Sequence, residues 1–270
     1  MPTTFPSTDM QVHESTVREH REFGGDYRLI VFEAPGIAKA SVPGQFVHMQ
    51  IPGIGAVALR RPFSIYKISD ETVSVMYKPV GRGTNALASV LAGDAVSLVG
   101  PLGHGFPLTD STYPVLIAGG YGVAPLSFYA ERCSVKGSVF VGGKSEVDIL
   151  CVDDFETYEW DIHIATEDGS RGSKGLVTDA LDAWLAENGT GPKGESLELF
   201  ACGPEGLMEA AGKRIDDLDL KGWLSFDRHM GCGIGACLAC VQKVRGENGD
   251  VTWKRCCREG PVFDAASIVW

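Results

Sequence analysis

Apolar positions in the first hundred residues come in short runs that alternate with polar ones: "YRLIVFEA" at 27–34, "GQFVHMQI" at 44–51, "FSIYKI" at 63–68 and "TVSVMYKPV" at 72–80. Each is separated from the next by Gly or Pro. Period-two alternation over short segments marks half-buried strands, so a β-barrel or sandwich is expected from about Val12 to Leu108. The pattern changes at "YPVLIAGGYGVAPLSFYAERC", where an apolar run meets a glycine turn and then a helix-like segment. Further runs, "GSVFVGG", "WDIHIAT" and "SLELFACG", alternate with the amphipathic stretches "GLVTDALDAWLAEN" and "PEGLMEAAGKRI". Strand and helix in alternation predict a parallel sheet covered by helices. From about Gly222 the chain turns cysteine-rich, with too few apolar residues for a large core of its own, and is expected to need a bound centre to fold. The expected fold is therefore α+β and multidomain: an antiparallel β-barrel over 1–110, an α/β parallel-sheet nucleotide-binding domain over 111–221, and a small domain over 222–270.

Composition narrows the function. A chain of 270 residues has room for two or three modules, and no apolar run approaches the length of a membrane span. A formal net charge of -11 argues against nucleic-acid binding. The first residues carry no basic region followed by an apolar block, so the expected location is the cytoplasm. In that reducing compartment the eight cysteines are read as metal, cluster or redox groups where they cluster, not as a disulfide framework.

They do cluster. "GCGIGACLACVQKV" places Cys232, Cys237 and Cys240 in a CxxxxCxxC pattern, and "KRCCREGPVF" supplies a fourth thiol from Cys256 or Cys257. That is the plant-type ferredoxin spacing for a 2Fe-2S cluster. Gly231, Gly233, Gly235 and Ala236 suit backbone that wraps inorganic sulfur and aims N–H groups at its charge. The competing reading is a four-cysteine zinc site, which more often presents two short CxxC pairs. A Rieske centre needs two histidine ligands, and His229 alone does not supply them. Cys133 and Cys151 read as small core residues.

Two further motifs suggest phosphates. In "LRRPFSIYK" the guanidinium of Arg61 and the hydroxyl of Ser64 are expected close together, suiting a pyrophosphate. In "MYKPVGRGTNAL", Gly81 and Gly83 allow a tight turn and Thr84 is expected to cap the following helix, leaving N–H groups free for an anion. An ordinary hairpin loop and cap would read the same way. "LIAGGYGVAPL" is not the GxGxxG fingerprint, yet a glycine run at a strand-to-helix turn still lets a nucleotide approach, with Pro125 tolerated early in the helix. With "TEDGSRGSKGLVTDAL" and "ACGPEGLM" it makes three loops at C-terminal strand ends, where open sheets bind ligands.

The succession RPxS, GxGT, AGGxGVAPL, TxDGSxGxxGxVT, CGP and a cluster loop resembles the ferredoxin reductase-type flavoproteins across almost the whole chain. The ending "CGIGACLACV" followed by "CREGPVFDAASIVW" is similar to electron-transfer subunits of class B dihydroorotate dehydrogenases. The resemblance implies FAD on Arg61, Pro62, Phe63 and Ser64, with Tyr77, Lys78, Pro79, Gly83 and Thr84 lining the rest of its site. It implies NAD across Gly119, Gly120, Gly122 and Ala124, with Thr166, Asp168, Cys202, Gly203 and Pro204 opposite. It also implies cluster ligation by Cys232, Cys237, Cys240 and Cys257, the last because the family's fourth cysteine stands three residues before Gly-Pro. Tyr121 departs from the small residue common at its position. Lys144 and Ser145 leave a 2′-phosphate contact open, so NAD rather than NADP follows from the resemblance. The implied partner is an FMN-containing dihydroorotate dehydrogenase catalytic subunit, in a heterotetramer of two copies each, with no membrane span. The alternatives are a diaphorase-type subunit of a hydrogenase, sulfur reductase or bifurcating transhydrogenase, and a non-catalytic zinc-binding regulatory module.

Overall fold

The computed structural model describes residues 11–55, 59–189, 191, 196–246 and 248–270. Six antiparallel strands, β1 (Gln11–Gly24), β2 (Tyr27–Glu33), β3 (Phe46–Met49), β4 (Arg61–Ile68), β5 (Thr72–Tyr77) and β6 (Ala95–Leu102), close into a barrel in the order β1-β2-β5-β4-β3-β6. Alternation sets its inside: Phe63, Ile65, Val73, Val75 and Tyr77 fill the barrel core, whereas Tyr66 and Met76 point out of it. Those two are nonetheless buried, because the barrel's outer face packs against the second layer of the molecule. The short helices α1 (Pro35–Ala40) and α2 (Arg82–Leu87) contribute Ile37, Ala38 and Leu87 to the barrel core.

The second layer is a sheet of β7 (Tyr113–Gly119), β8 (Ser138–Gly143), β9 (Asp161–Thr166), β10 (Ser173–Lys174), β11 (Leu197–Cys202) and β12 (Lys221–Ser225), all parallel. After a hairpin of β13 (Val241–Arg245) and β14 (Val251–Arg255), the chain returns as β15 (Val262–Asp264), antiparallel to β12. The order is β10-β9-β8-β7-β11-β12-β15. Strand β11 is buried along its whole length, Glu198 included, and β7 everywhere but at its ends, because helices cover both faces. Helix α6 (Glu205–Asp217) buries Met208, Ala211, Gly212 and Ile215, an i, i+3, i+4, i+7 stripe, and α5 (Val177–Asn188) likewise turns Val177, Leu181 and Trp184 inward. Helix α3 (Val123–Arg132) is different: all eight residues from Val123 to Ala130 are buried, because it lies between sheet and barrel.

Carboxylates clasp the two layers. Asp154 on α4 (Val152–Thr157) accepts from Tyr66, from Lys67 at 2.6 Å and from Ser127 at 2.9 Å, and Asp148 accepts from Tyr27 at 2.9 Å. The cysteine-rich region does not stand apart. Its Cys240, Val244, Cys256, Cys257, Phe263 and Ile268 join one core with Leu199, Met208, Ile215 and Leu224 of the sheet domain and Phe46, Val99 and Leu102 of the barrel. Apolar burial that the segment lacks on its own is thus supplied by its neighbours, and β12 runs across residue 222. Among the described residues no helix is long and apolar enough to cross a membrane.

Candidate functional site

Register decides what the RPxS segment presents. On β4, Arg61, Pro62, Phe63 and Ser64 pair without interruption to Met49, His48, Val47 and Phe46 of β3. Successive side chains therefore alternate, placing Arg61 and Phe63 on one face and Pro62 and Ser64 on the other. The expectation that Arg61 and Ser64 act side by side is corrected: three residues along a regular strand puts them on opposite faces. Arg61 instead meets the glycine turn, since a Cβ added to Gly83 would lie 3.5 Å from its Nε. Its Nη1 donates to the carbonyls of Leu59 at 2.8 Å and Arg60 at 3.3 Å, and it makes no ion pair among the described residues. An uncompensated guanidinium beside an open glycine turn fits a pyrophosphate.

Thr84 caps α2 as expected, but from the third helical position and not from the N-cap. Gly81 holds the N-cap position and Thr84 is the third residue of α2, where its Oγ1 accepts from the N–H groups of Val80 at 2.9 Å and Gly81 at 3.1 Å. It shapes the turn from inside the helix. Tyr77 packs edge-on against Phe63, with ring centroids 6.0 Å apart, and its hydroxyl lies 2.9 Å from His20 Nε2. His20 Nδ1 is 2.7 Å from the Val90 carbonyl, which can only accept, so Nδ1 donates there and the ring bridges Val90 to the Tyr77 hydroxyl. Burial pushes the Tyr77 phenol up to about 12, keeping it protonated. Lys78 sits over the Tyr27 ring and 3.6 Å from Asp148, with Pro79 following.

At the C-terminal edge of the sheet the glycines are required by contact. A Cβ on Gly122 would lie 2.4 Å from the Cys202 carbonyl oxygen, and one on Gly119 would lie 2.9 Å from both Pro204 and Leu207. The Gly119–Gly120–Gly122–Ala124 turn thus rests directly on Cys202–Gly203–Pro204, as β7 and β11 are neighbours. Gly120 adopts a φ of +54°. Burial pushes the Cys202 thiol up to about 12, which keeps it neutral. Tyr121 stands half exposed over this turn.

Thr166 and Asp168 lie two strands away, with β8 between. The Thr166 hydroxyl is fully buried, donating to the Arg171 carbonyl at 2.8 Å and accepting from its N–H at 3.1 Å, so it shapes the loop and does not face an incoming ligand. Asp168 is exposed; hydrogen bonds from the Ser170 hydroxyl at 2.6 Å and N–H at 2.9 Å hold its carboxyl below the usual range. Lys144 and Ser145 adjoin it, with the Lys144 carbonyl accepting from the Asp168 N–H at 3.2 Å.

The four expected cluster cysteines come together as two pairs. Cys232 Sγ accepts from the N–H of Cys237 at 3.3 Å. Burial raises this thiol, but N–H groups of Cys237, Ile234 and Ala236 outweigh it and bring it down to about 6. The second pair is Cys240 and Cys257. Burial and the adjacent Cys240 thiol push Cys257 up to about 12, while the Gly235 N–H and Cys232 also act on it. Among the described residues no three His, Cys, Asp or Glu side chains converge on a point for one metal ion. Two thiol pairs, with N–H groups already aimed at sulfur, match the donor set of a two-iron cluster, in which each iron takes two thiolates.

Cys256 and Cys257 are not on an extended strand. They occupy the turn after β14, anchored by a 2.8 Å bond from the Cys256 N–H to the Cys240 carbonyl. Cys256 is fully buried, and its surroundings include Arg228 and Asp227 besides Cys240.

Other participants gave no sequence signal. Arg255 donates to the Gly235 carbonyl at 2.6 Å and pairs with Glu259, tying the fourth-cysteine turn to the glycine loop. Spacing of i, i+4 suggests the ion pair but not the clamp. His48 is polar within an alternating strand yet is 1 % exposed. Burial and then Arg60 bring its pKa down to about 4.

Comparisons with known proteins give the family and the fold. The iron-sulfur cluster binding domain of dihydroorotate dehydrogenase B matches residues 227–269, and the oxidoreductase NAD-binding domain matches 116–213. A dihydroorotate dehydrogenase B (NAD(+)) electron transfer subunit from Desulforamulus reducens is 38% identical over 248 residues, covering 88% of this chain and 91% of its own. One from Bacillus cereus is 32% identical over 267 residues, covering 96% and 99%. In fold, the chain is similar to an NADH-dependent reduced ferredoxin-NADP oxidoreductase, with a TM-score of 0.81 at 24% identity over 96% of this chain and 90% of that one. A ferredoxin NADP+ reductase from Neisseria gonorrhoeae with bound FAD and NADP superposes with a TM-score of 0.62 at 15% identity, over 77% and 91%. By its identity to these relatives over nearly its full length, the chain belongs to the family of dihydroorotate dehydrogenase B (NAD(+)) electron transfer subunits.

Proposed function

We propose that this chain carries electrons from an FMN-containing subunit that oxidises dihydroorotate to orotate, by way of a 2Fe-2S cluster and FAD, to NAD+ in pyrimidine biosynthesis. The observation that carries the reading is the meeting of Cys232, Cys237, Cys240 and Cys257 as two thiol pairs in a region matching this family's cluster domain. When bound, FAD exchanges two electrons with NAD(H) and single electrons with a 2Fe-2S centre, which is the reason for placing it between them.

The chain's own part is to hold and orient. Arg61 is assigned the flavin pyrophosphate from beside Gly83, while Pro62, Phe63, Ser64, Tyr77, Lys78, Pro79 and Thr84 shape the rest of that site. Gly119, Gly120, Gly122 and Ala124, with Cys202, Gly203 and Pro204, are assigned the nicotinamide end of NAD. Asp168 is assigned the far end, with Thr166 shaping its loop. Cys257 is preferred over Cys256 as fourth ligand because Cys240, Cys232 and the Gly235 N–H all act on its thiol. We assign barrel, sheet and cluster functions to 1–110, 111–221 and 222–270, the last sharing its core with the others. Eight unpaired cysteines support a reducing, cytoplasmic location, and a heterotetramer of two copies of each subunit is the proposed assembly.

The test is co-expression with a dihydroorotate-oxidising FMN subunit. The two should copurify and reduce NAD+ when given dihydroorotate. A stable complex containing flavin and iron that oxidises dihydroorotate yet leaves NAD+ unchanged contradicts the proposal. A colourless protein holding zinc supports the regulatory alternative.

A further inference from the structure

His48 is buried to 1 % exposure, and neither of its ring nitrogens has a hydrogen-bond partner among the described residues. The carbonyls of Arg60 and Cys232 lie close enough to act on the ring electrostatically, but neither reaches hydrogen-bond geometry. A neutral imidazole carries one N–H donor and one acceptor. Leaving a buried donor unpaired forfeits its hydration with nothing in return, so such groups nearly always find a partner.

The surroundings say where that partner lies. On one side His48 is registered against Pro62 of β4, in the strand assigned to the flavin. On the other its ring lies flat on the cluster loop, because a Cβ on Gly233 would stand 2.3 Å from Nδ1, 2.7 Å from Cγ and 2.8 Å from Cε1. Gly233 has a φ of +70° and is bracketed by Cys232 and by Ile234, whose N–H already acts on the Cys232 sulfur. The imidazole therefore fills the seam between flavin strand and cluster loop, at the Cys232 end of the loop. Loading this site brings in sulfur acceptors of high negative charge.

We propose that His48 donates a ring N–H hydrogen bond to sulfur at the Cys232 end of the loaded 2Fe-2S centre, on the flavin-facing side. This rests on the cluster reading above and adds to it a group that tunes how readily the centre is reduced. Hydrogen bonds to cluster sulfur favour the more negative, reduced form. One such bond is worth about a factor of ten in the reduction equilibrium, equivalent to roughly 59 mV for a one-electron couple.

The test uses the full-length protein with its cofactors. Protein labelled with 15N only in histidine is reduced with dithionite, and its cluster is examined by pulsed EPR. Nitrogen coupling from one of the six histidines is expected. It should vanish in His48→Gln, whose amide N–H restores most of the reduction equilibrium, while His48→Leu should make the cluster about tenfold harder to reduce. The wild-type spectrum needs no variant, so a misfolded His48→Leu does not end the test. Absence of histidine coupling at full cluster signal, coupling that survives in His48→Gln, or an unchanged equilibrium in a folded His48→Leu each overturns the proposal. A variant that alters only the flavin spectrum also overturns it, by assigning the ring to the flavin. Wild-type protein that holds no cluster overturns the proposed function itself, and this inference with it.

Discussion

Substituting Gly122 by alanine tests the nicotinamide assignment at its tightest contact. The added Cβ would meet the Cys202 carbonyl oxygen at 2.4 Å, the Cys202 carbonyl carbon at 2.6 Å and Gly203 Cα at 2.8 Å. All three are backbone atoms, so no side-chain rotation relieves the clash. Ordinary contact begins at 3.4 Å, and 3.4 less 2.4 requires the Cys202–Pro204 turn to retreat by about 1 Å. Overpacking of this kind costs about 1–3 kcal/mol in stability. The larger effect is on geometry, because misplacing a reacting group by about 1 Å can cost ~10²-fold in rate. We expect kcat/KM for NADH-driven dye reduction to fall by about 10–100-fold, with FAD and cluster absorbance retained. Gly206→Ala is the control: its Cβ would meet nothing within 4 Å, so kinetics should be unchanged. A folded, flavin-loaded Gly122→Ala with ordinary NADH kinetics refutes the reasoning, as does equal damage from Gly206→Ala.

Arg61→Ala should bind FAD at least about tenfold more weakly and lose it during purification, since a charge-assisted bond to phosphate is worth about 1.5–3 kcal/mol; full flavin occupancy at unchanged affinity would show the site misassigned. Cys202→Ser should keep the cluster signal and slow flavin reduction by NADH, and loss of the cluster with normal flavin reduction contradicts both halves. Cys257→Ala should lose the cluster yet still reduce a soluble dye from NADH, whereas Cys256→Ala should leave the reduced-cluster EPR signal unchanged. The reverse outcome makes Cys256 the ligand, and retention of iron in both makes the two thiols interchangeable.

Strands β2 to β5 are legible as alternation, because inside and outside differ in polarity there, whereas β1 and β6 lie outside the runs the sequence displays. Closure is not legible, since it depends on β1 meeting β6 through pairs such as Gln11 with Gly100, far apart in the chain. Helix α6 announced itself by its stripe; α3, buried on both sides, carried no amphipathic signal beyond its place after a glycine turn. In the cluster loop the cysteine spacing was readable, but the need for two of its glycines was not. Gly233 yields to His48, and Gly235 to Arg258, whose Cδ would stand 2.8 Å from an added Cβ. Both are contacts that local sequence cannot display. Two differences are local. Nearness along the chain puts Arg61 beside Ser64, which strand parity overrules, and Thr84 does cap α2, but from its third position, where local sequence gives no sign. The family register before Gly-Pro points to Cys257, and the turn after β14, which sets Cys257 beside Cys240 and Cys232, supports the same choice from the fold.

The most direct test of the electron route is an anaerobic titration of the purified protein with NADH, followed by visible absorption and low-temperature EPR on the same samples. The account predicts that the flavin bands bleach and that the signal of a reduced 2Fe-2S cluster grows in as NADH is added, with iron and no stoichiometric zinc in the protein. Flavin that bleaches while a fully loaded cluster, shown by dithionite titration to have a potential above that of NADH, stays oxidised would break the route between the two sites. A zinc-bound protein without flavin or iron would contradict the account altogether.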